Sequence, residues 1–260
     1  MKRIVKNADK LREACAPIKF ITENGVDKNH GIEVVNALKD VMEAKPELTA
    51  LSAPQIGYKD RVFCIRFSDG IKTFMNPIIT KKAAPKFICE TSVSFPTKQI
   101  MLLRPTEIEV KYYTDEFKYE DNKLMGAAAG LFDQQYQFLD GLTPLDLGLV
   151  SDVNEDGIIT DEDLADEEFM SATYELYKKL VAKRAEDLTA EVTSNETDAK
   201  LYQQLAFTES VINGRTQVID SEVPAPTNRA QRRAAEKMSR KIEAQTRKHN
   251  NKINSKKETT

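Results

Sequence analysis

The sequence predicts an α+β fold: antiparallel sheets around a central helix, followed by a helical C-terminal extension. Three observations carry that expectation. Strand-like segments rich in β-branched and aromatic residues lie at 62–67, 73–79, 87–95 and 107–113, separated by turn signals. A helix-period face of Leu124, Ala127, Ala128, Leu131 and Phe138 runs through 123–139. A further helical pattern at 164–185 places Phe169, Ala172, Leu176, Leu180 and Val181 on one side.

In chain order, residues 4–20 read as an extended start that includes Asp9-Lys10-Leu11-Arg12. Within 31–44, Ile32, Val35, Leu38, Val41 and Met42 recur at three and four residues, which predicts a one-sided helix. It stops before Pro46, because the residue preceding a proline is pushed out of the helical region. Leu51-Ser52-Ala53-Pro54-Gln55-Ile56-Gly57 reads as a small-residue loop, and Ser68-Asp69-Gly70 as a turn between strands. Ile108, Val110 and Tyr112 alternate, the pattern of a strand with one buried face. Residues 198–212 predict a short helix and Ser221-Glu222-Val223-Pro224-Ala225-Pro226 a linker. The expected organisation is a domain over 1–147, an extension over 148–220, and a linker with a disordered basic tail over 221–260.

A chain of 260 residues can bury a sizeable core. It has no apolar run long enough to span a bilayer, so no membrane partner is expected. The start, Met1-Lys2-Arg3-Ile4-Val5-Lys6-Asn7, lacks a signal-peptide core, which points to the cytoplasm or a particle assembled there. Cys15, Cys64 and Cys89 are odd in number and widely spaced, and read as reduced structural thiols. The only histidines are His30 and His249, so a site needing two neighbouring imidazoles cannot be built from this chain.

The net charge of −3 conceals an asymmetry. Residues 228–260 carry 11 Lys/Arg against 3 Asp/Glu, a net +8, which leaves −11 on the remainder. Ala230, Ala234, Met238 and Ile242 recur every four residues, a thin apolar stripe on a basic helix that can form on a partner. An acidic protein or nucleic acid is the expected partner class for 228–260. The tail has no aromatic residue, so stacking on bases is not expected.

Residues 152–163 follow the grammar of a calcium loop. Asp152, Asn154 and Asp156 would supply side-chain oxygens, Ile158 its carbonyl, and Asp163 the last carboxylate. Gly157 would make the sharp turn and Ile159 anchor the loop in a core. Asp163 in place of Glu is closer to dockerin-type loops than to regulatory EF-hands, which predicts a single, structural calcium. The competing reading is a helix N-terminus capped by Thr160, with Asp161, Glu162 and Asp163 favouring its dipole.

The order of several motifs resembles the peptide deformylase family over roughly residues 4–147. Leu51-Ser52-Ala53-Pro54-Gln55-Ile56-Gly57 matches the second half of that family's glycine-rich loop and keeps its catalytic glutamine as Gln55. Glu90-Thr91-Ser92-Val93-Ser94-Phe95-Pro96 stands where the family has Glu-Gly-Cys-Leu-Ser. Gln134-Gln135-Tyr136-Gln137-Phe138-Leu139-Asp140-Gly141 stands where it has His-Glu-x-x-His and Leu-Asp-Gly. Asn76-Pro77, Arg104-Pro105 and Asp9-Lys10-Leu11-Arg12 fit connecting signatures. The resemblance implies a deformylase-like fold and a metal-dependent site that removes the formyl group of new polypeptides.

It also marks departures. The family's metal ligands fall at Ser92, Gln134 and Phe138, and its general base at Gln135. Serine is a poor neutral ligand, phenylalanine is none, and an amide accepts no proton at neutral pH. Leu48 and Ala50 replace glycines of the first motif. Cys89, three residues before Ser92, is expected to face away in an extended strand. Arg104 and Glu90 can form a buried ion pair. The expectation is therefore a degenerate member with no catalytic transition metal, not an enzyme, with Gln55, Ser92, Gln134, Gln135 and Phe138 as degenerate positions. Deformylase genes travel in bacteriophages as well as bacteria, which suggests protein partners in a virion or tail assembly. The alternatives are a peptide- or ribosome-binding module and a divergent metal-dependent deformylase.

Overall fold

Asn7 begins the first element, α1 (Ala8–Leu11), by accepting from the backbone N–H of Asp9 and Lys10 through its side chain. In the computed structural model, residues 2–22, 25–26, 28–152, 159–190, 200–201, 203–205, 208, 211–212 and 218–220 are described. Residues Met1–Ser221 form one compact unit, and the linker and basic tail lie outside the described residues. A two-residue pair, β1 (Ile21–Thr22) with β2 (Gly25–Val26), precedes α2 (Asn29–Glu43). The buried residues Val34, Val35, Leu38, Val41 and Met42 lie on one face of α2, close to the predicted helix.

The main sheet begins with β3 (Ala50–Ser52), a 3-10 turn over Ala53–Ile56, and β4 (Val62–Phe67). Side chains alternate along β4. Val62 and Cys64 pack with the α2 core, whereas Phe63 and Ile65 join a second core on the opposite face. A strand covered on both faces reads as a continuous apolar run, as 62–65 does.

Two long strands follow, β5 (Gly70–Ser92) and β6 (Phe95–Tyr113), of 23 and 19 residues. Sequence reading separated 73–79 from 87–95 and left 96–106 unassigned. The structure corrects this: one strand runs through both segments, and the expected strand at 87–95 contains the hairpin turn at Val93-Ser94. Pro77 coincides with a register shift between Met75 and Ile78, and Pro85 faces Pro105, so residues without an N–H are accommodated inside long strands. Asn76, at φ 46, donates to Ile18 O and accepts from Ile18 N, both at 2.8 Å, which ties the chain start to this irregularity.

β7 (Tyr119–Met125) completes the strand order β3-β4-β5-β6-β7, all antiparallel. Residues 123–125, expected to be helical, belong to β7, and α3 (Ala127–Leu139) begins after Gly126. Phe132 of α3 packs edge-on to Phe63 and Phe74, with centroids 4.8 and 5.1 Å away. The helix is thus held on the sheet face opposite α2. At its end Gly141 has φ +74, and a Cβ there would lie 2.9 Å from Ala14 N and Glu13 C. The Asp140-Gly141 pair therefore needs a glycine both for its backbone and for the close passage of the chain start.

The extension continues the sheet. After α4 (Pro144–Leu147), β8 (Leu149–Asp152) pairs with β6. The short α5 (Asp161–Ala165) precedes α6 (Glu167–Ala190), whose Tyr177 and Val181 bury with Ile100, Leu102, Leu147 and Leu205. Arg184 donates to the Leu145 and Asp146 carbonyls, closing the end of α4. β9 (Val218–Asp220) pairs with β5. The antiparallel sheet with its packed helices is the α+β architecture the sequence predicts.

Candidate functional site

A cleft of about 940 Å³ opens between the β3 end of the sheet, the β5–β6 hairpin and the start of α3. Gln55, Ser92, Gln134 and Gln135 all line it. Four of the five positions singled out in the sequence thus come together.

Gln55 is fixed by local chemistry. Pro54 presets the backbone of the short 3-10 turn, and Gln55 Oε1 accepts from both Ser52 N and Ser52 Oγ at 3.0 Å. The other end of the amide, Nε2, then donates to Ser94 Oγ at 3.2 Å and, at 3.4 Å, to the cleft-lining Ser92 Oγ. Ser92 Oγ also accepts from Ser94 N at 3.3 Å. Gln134 and Gln135 come from α3. Gln134 Nε2 donates to Thr91 O at 3.2 Å, and Gln135 Nε2 donates to Gln134 Oε1 at 2.9 Å. Gln135 is 2% exposed, and its Oε1 has no hydrogen-bond partner among the described residues.

Phe138 does not join them. It is fully buried with Leu11 and Phe95 in a separate apolar cluster, where it contributes packing. Cys89 is half-buried and lies in the run 88–93 that lines the cleft, and a register shift between Glu90 and Ser92 interrupts the strand alternation between it and Ser92. Burial, helped by the Glu90 charge, raises its pKa and keeps it a thiol at neutral pH.

Beneath the cleft lies a charged network that the sequence showed only in part. Arg104 holds Glu90 through two bonds, Nε to Oε2 at 2.8 Å and Nη2 to Oε1 at 2.6 Å, as the expected pair. Its Nη1 also reaches Asp133 Oδ2 at 2.9 Å and donates to Gln137 Oε1. Lys82 Nζ lies 2.5 Å from Asp133 Oδ1, so that oxygen is satisfied by charge. Two cations thus face two anions. Burial opposes charging Arg104, but Glu90 and Asp133 outweigh it and raise its pKa. Burial likewise opposes the Asp133 charge, but Lys82 and Arg104 hold its pKa below the ordinary value. Asp133 and Gln137 are missed from sequence because their partners come from distant strands. Their only local signal is a four-residue spacing on an inward helix face.

Of the calcium-loop residues, Asn154, Asp156 and Ile158 lie outside the described residues, as does the side chain of Asp152. Asp163 is described: its Oδ2 accepts from Thr160 N and Thr160 Oγ1 at 2.8 Å, while Thr160 Oγ1 accepts from Asp163 N at 3.2 Å. That reciprocal pair is a capping box at the start of α5.

Residues 1–149 match the family model for polypeptide deformylase, more than half of the chain. The chain belongs to the peptide deformylase family. Among curated deformylases, the one from Thermotoga sp. (strain RQ2) is 30% identical over 97 residues, 37% of this chain and 59% of that protein. The chain therefore spans less than two thirds of the length of this first curated relative. Two solved deformylase structures are also similar. That from Thermotoga maritima has a TM-score of 0.50 at 26% identity, over 56% of this chain and 96% of that one. The probable deformylase of Synechococcus phage S-SSM7 has a TM-score of 0.50 at 27% identity, over 56% and 99%.

These matches correct one expectation. The chain was expected not to be an enzyme, but its family is named for an enzyme and its curated relatives carry that enzyme's name. Replaced side chains at single positions do not by themselves show that chemistry is lost.

The transition metal that the deformylase family implies does not fit the residues present. Phe138 has no donor atom and is sealed in the Leu11–Phe95 cluster. Gln134 Oε1 is already engaged by Gln135, and Ser92 Oγ by Gln55 and Ser94. Among the described residues, no three His, Cys, Asp or Glu side chains gather into a metal-holding group.

Proposed function

We propose that this deformylase-family chain receives the formylated amino terminus of a polypeptide in the cleft between the β5–β6 hairpin and α3. The observation that carries the reading is the gathering of Gln55, Ser92, Gln134 and Gln135 along one cleft, with Gln55 locked by Ser52 and holding Ser92 and Ser94 through its Nε2. Neighbouring Ile88, Val93 and Leu131 give the cleft apolar surface for a side chain, as peptide-binding clefts require.

Calorimetric titration with formyl-Met-Ala-Ser tests this. Saturable binding at micromolar to low millimolar peptide is expected, and formate released in the same samples reads turnover. An absence of saturable binding at millimolar peptide overturns the reading.

A second reading, a role in the assembly of a bacteriophage particle, is supported by the likeness to a phage-encoded deformylase and by the basic tail. Recovery of the chain in purified particles tests it; exclusive recovery in the soluble lysate sinks it. The tail is proposed to contact an acidic protein or nucleic acid, and residues 152–163 to bind one structural calcium.

A further inference from the structure

We infer that Gln135 Oε1 is the cleft's fixed acceptor for an amide N–H of the bound ligand. This rests on the peptide-binding reading above and adds what the ligand must bring.

The direction of the side-chain chain fixes the chemistry. The Thr91 carbonyl can only accept, so Gln134 must turn Nε2 toward it. Gln134 Oε1 then faces Gln135, which must answer with its own Nε2. Reversing either amide would set oxygen against oxygen. The group left over is therefore an acceptor, Gln135 Oε1, buried and unpartnered among the described residues and part of a cleft-lining side chain. A buried acceptor without a donor carries a desolvation penalty that an incoming N–H removes.

The ligand atom must carry a hydrogen, which excludes a carboxylate or phosphate oxygen. It is also neutral. Gln55, Ser92 and Gln134 are uncharged, and Arg104 and Glu90 neutralise one another. Of the other charged residues lining the cleft, Glu47 pairs with Lys45 at 3.8 Å and Lys86 is a cation, so no unbalanced anion offsets the dehydration of an ammonium. A hydroxyl or an amide N–H satisfies both conditions, and the polypeptide terminus of the peptide-binding reading brings the amide N–H. Gln135 is thus a binding residue that selects an amide over an isosteric ester.

The test compares formyl-Met-Ala-Ser with its ester analogue, in which the N–H of the formamide is replaced by oxygen. Both are titrated calorimetrically into the full chain and into Gln135→Met, with melting temperature as the check on folding. About tenfold preference for the amide is expected in wild type, from one hydrogen bond and the acceptor left bare by the ester. The preference is expected to fall to nearly one in Gln135→Met. Equal affinity of wild type for the two ligands overturns the inference and assigns the acceptor to a bound water. A preference that persists in Gln135→Met also overturns it. Failure of both ligands to bind instead overturns the peptide-binding reading itself. If Gln135→Met does not fold, the Gln135 side-chain amide resonances of ¹⁵N-labelled wild type decide. They are expected to shift with the amide and stay unchanged with the ester, and equal shifts overturn the inference.

Discussion

Replacing Asp133 by Asn removes one buried charge and little volume. Asp133 is fully buried between Arg104, 2.9 Å away, and Lys82, 2.5 Å away. In the native network two cations meet two anions; in Asp133→Asn, Glu90 alone must balance both. Breaking a buried pair in this way costs about 3–5 kcal/mol, because the orphaned charge stays desolvated. The amide retains one acceptor, so the lower end, about 3 kcal/mol, is expected. With a urea slope of about 2–3 kcal/mol/M, the midpoint should fall by roughly 1–1.5 M at pH 7. The sign of the pH dependence is fixed by the lowered pKa of Asp133. A depressed carboxylate stabilises the fold fully above its unfolded pKa of about 3.9 and loses that contribution as pH falls through the lower folded value. The gap between wild type and Asp133→Asn should therefore stay constant above about pH 5 and narrow below about pH 4. A loss under about 1 kcal/mol at pH 7, or a gap unchanged in acid, would refute the balanced-network argument.

Gly141→Ala and Gly57→Ala separate backbone strain from collision. Both glycines have positive φ, but only at Gly141 would a Cβ meet backbone atoms, at 2.9 Å; at Gly57 nothing lies within 4 Å. Thermal melts should show about 1–2 kcal/mol lost at Gly57 and clearly more at Gly141, and equal losses would contradict the close approach. Position 138 lies one turn beyond 134 on α3, so a shorter polar side chain there can turn from the Leu11–Phe95 cluster toward Gln134; combining Ser92→Cys, Gln134→His, Gln135→Glu and Phe138→His should then give stoichiometric zinc retention after dialysis. A folded but metal-free variant would show that these positions do not converge as the family's ligands do. Saturating calcium should raise the melting temperature of wild type but not of Asp152→Ala, and an unshifted wild type would remove the calcium proposal.

What sequence disclosed depended on the range over which each signal acts. The unbroken apolar run at 62–65 marks a strand, and the three- and four-residue spacing in α2 reports a buried face, so these elements were readable. The continuity of β5 was not, because Pro77 and the charged run Lys81-Lys82 are local strand-breaking signals. Residues 70–92 are nevertheless one strand, since pairing with β6 continues past each irregularity. The odd-offset argument for Cys89 assumes unbroken alternation, and the register shift between Glu90 and Ser92 interrupts it. A register shift depends on both strands, and sequence spacing sees only one.

The site shows the same division more sharply. Gln55 was legible as a position because the Leu51–Gly57 motif carries it, and its partner Ser52 lies only three residues away. Gln134 and Gln135 were legible as positions but not as interactions, because Thr91 arrives from another strand. Read alone, four polar residues at 133, 134, 135 and 137 contradict a buried helix, since each desolvated polar group costs free energy unless it is paired. In the fold all four are buried, and pairing is nearly complete: Asp133 and Gln137 with Arg104, Gln134 with Thr91, and Gln135 with Gln134 through one end. A helix that satisfies every such group but one does not read as a core helix that merely tolerates polarity. The single unmet acceptor among the described residues belongs to Gln135, which lines the cleft, so the polar residues of this helix are best explained by what enters from that side.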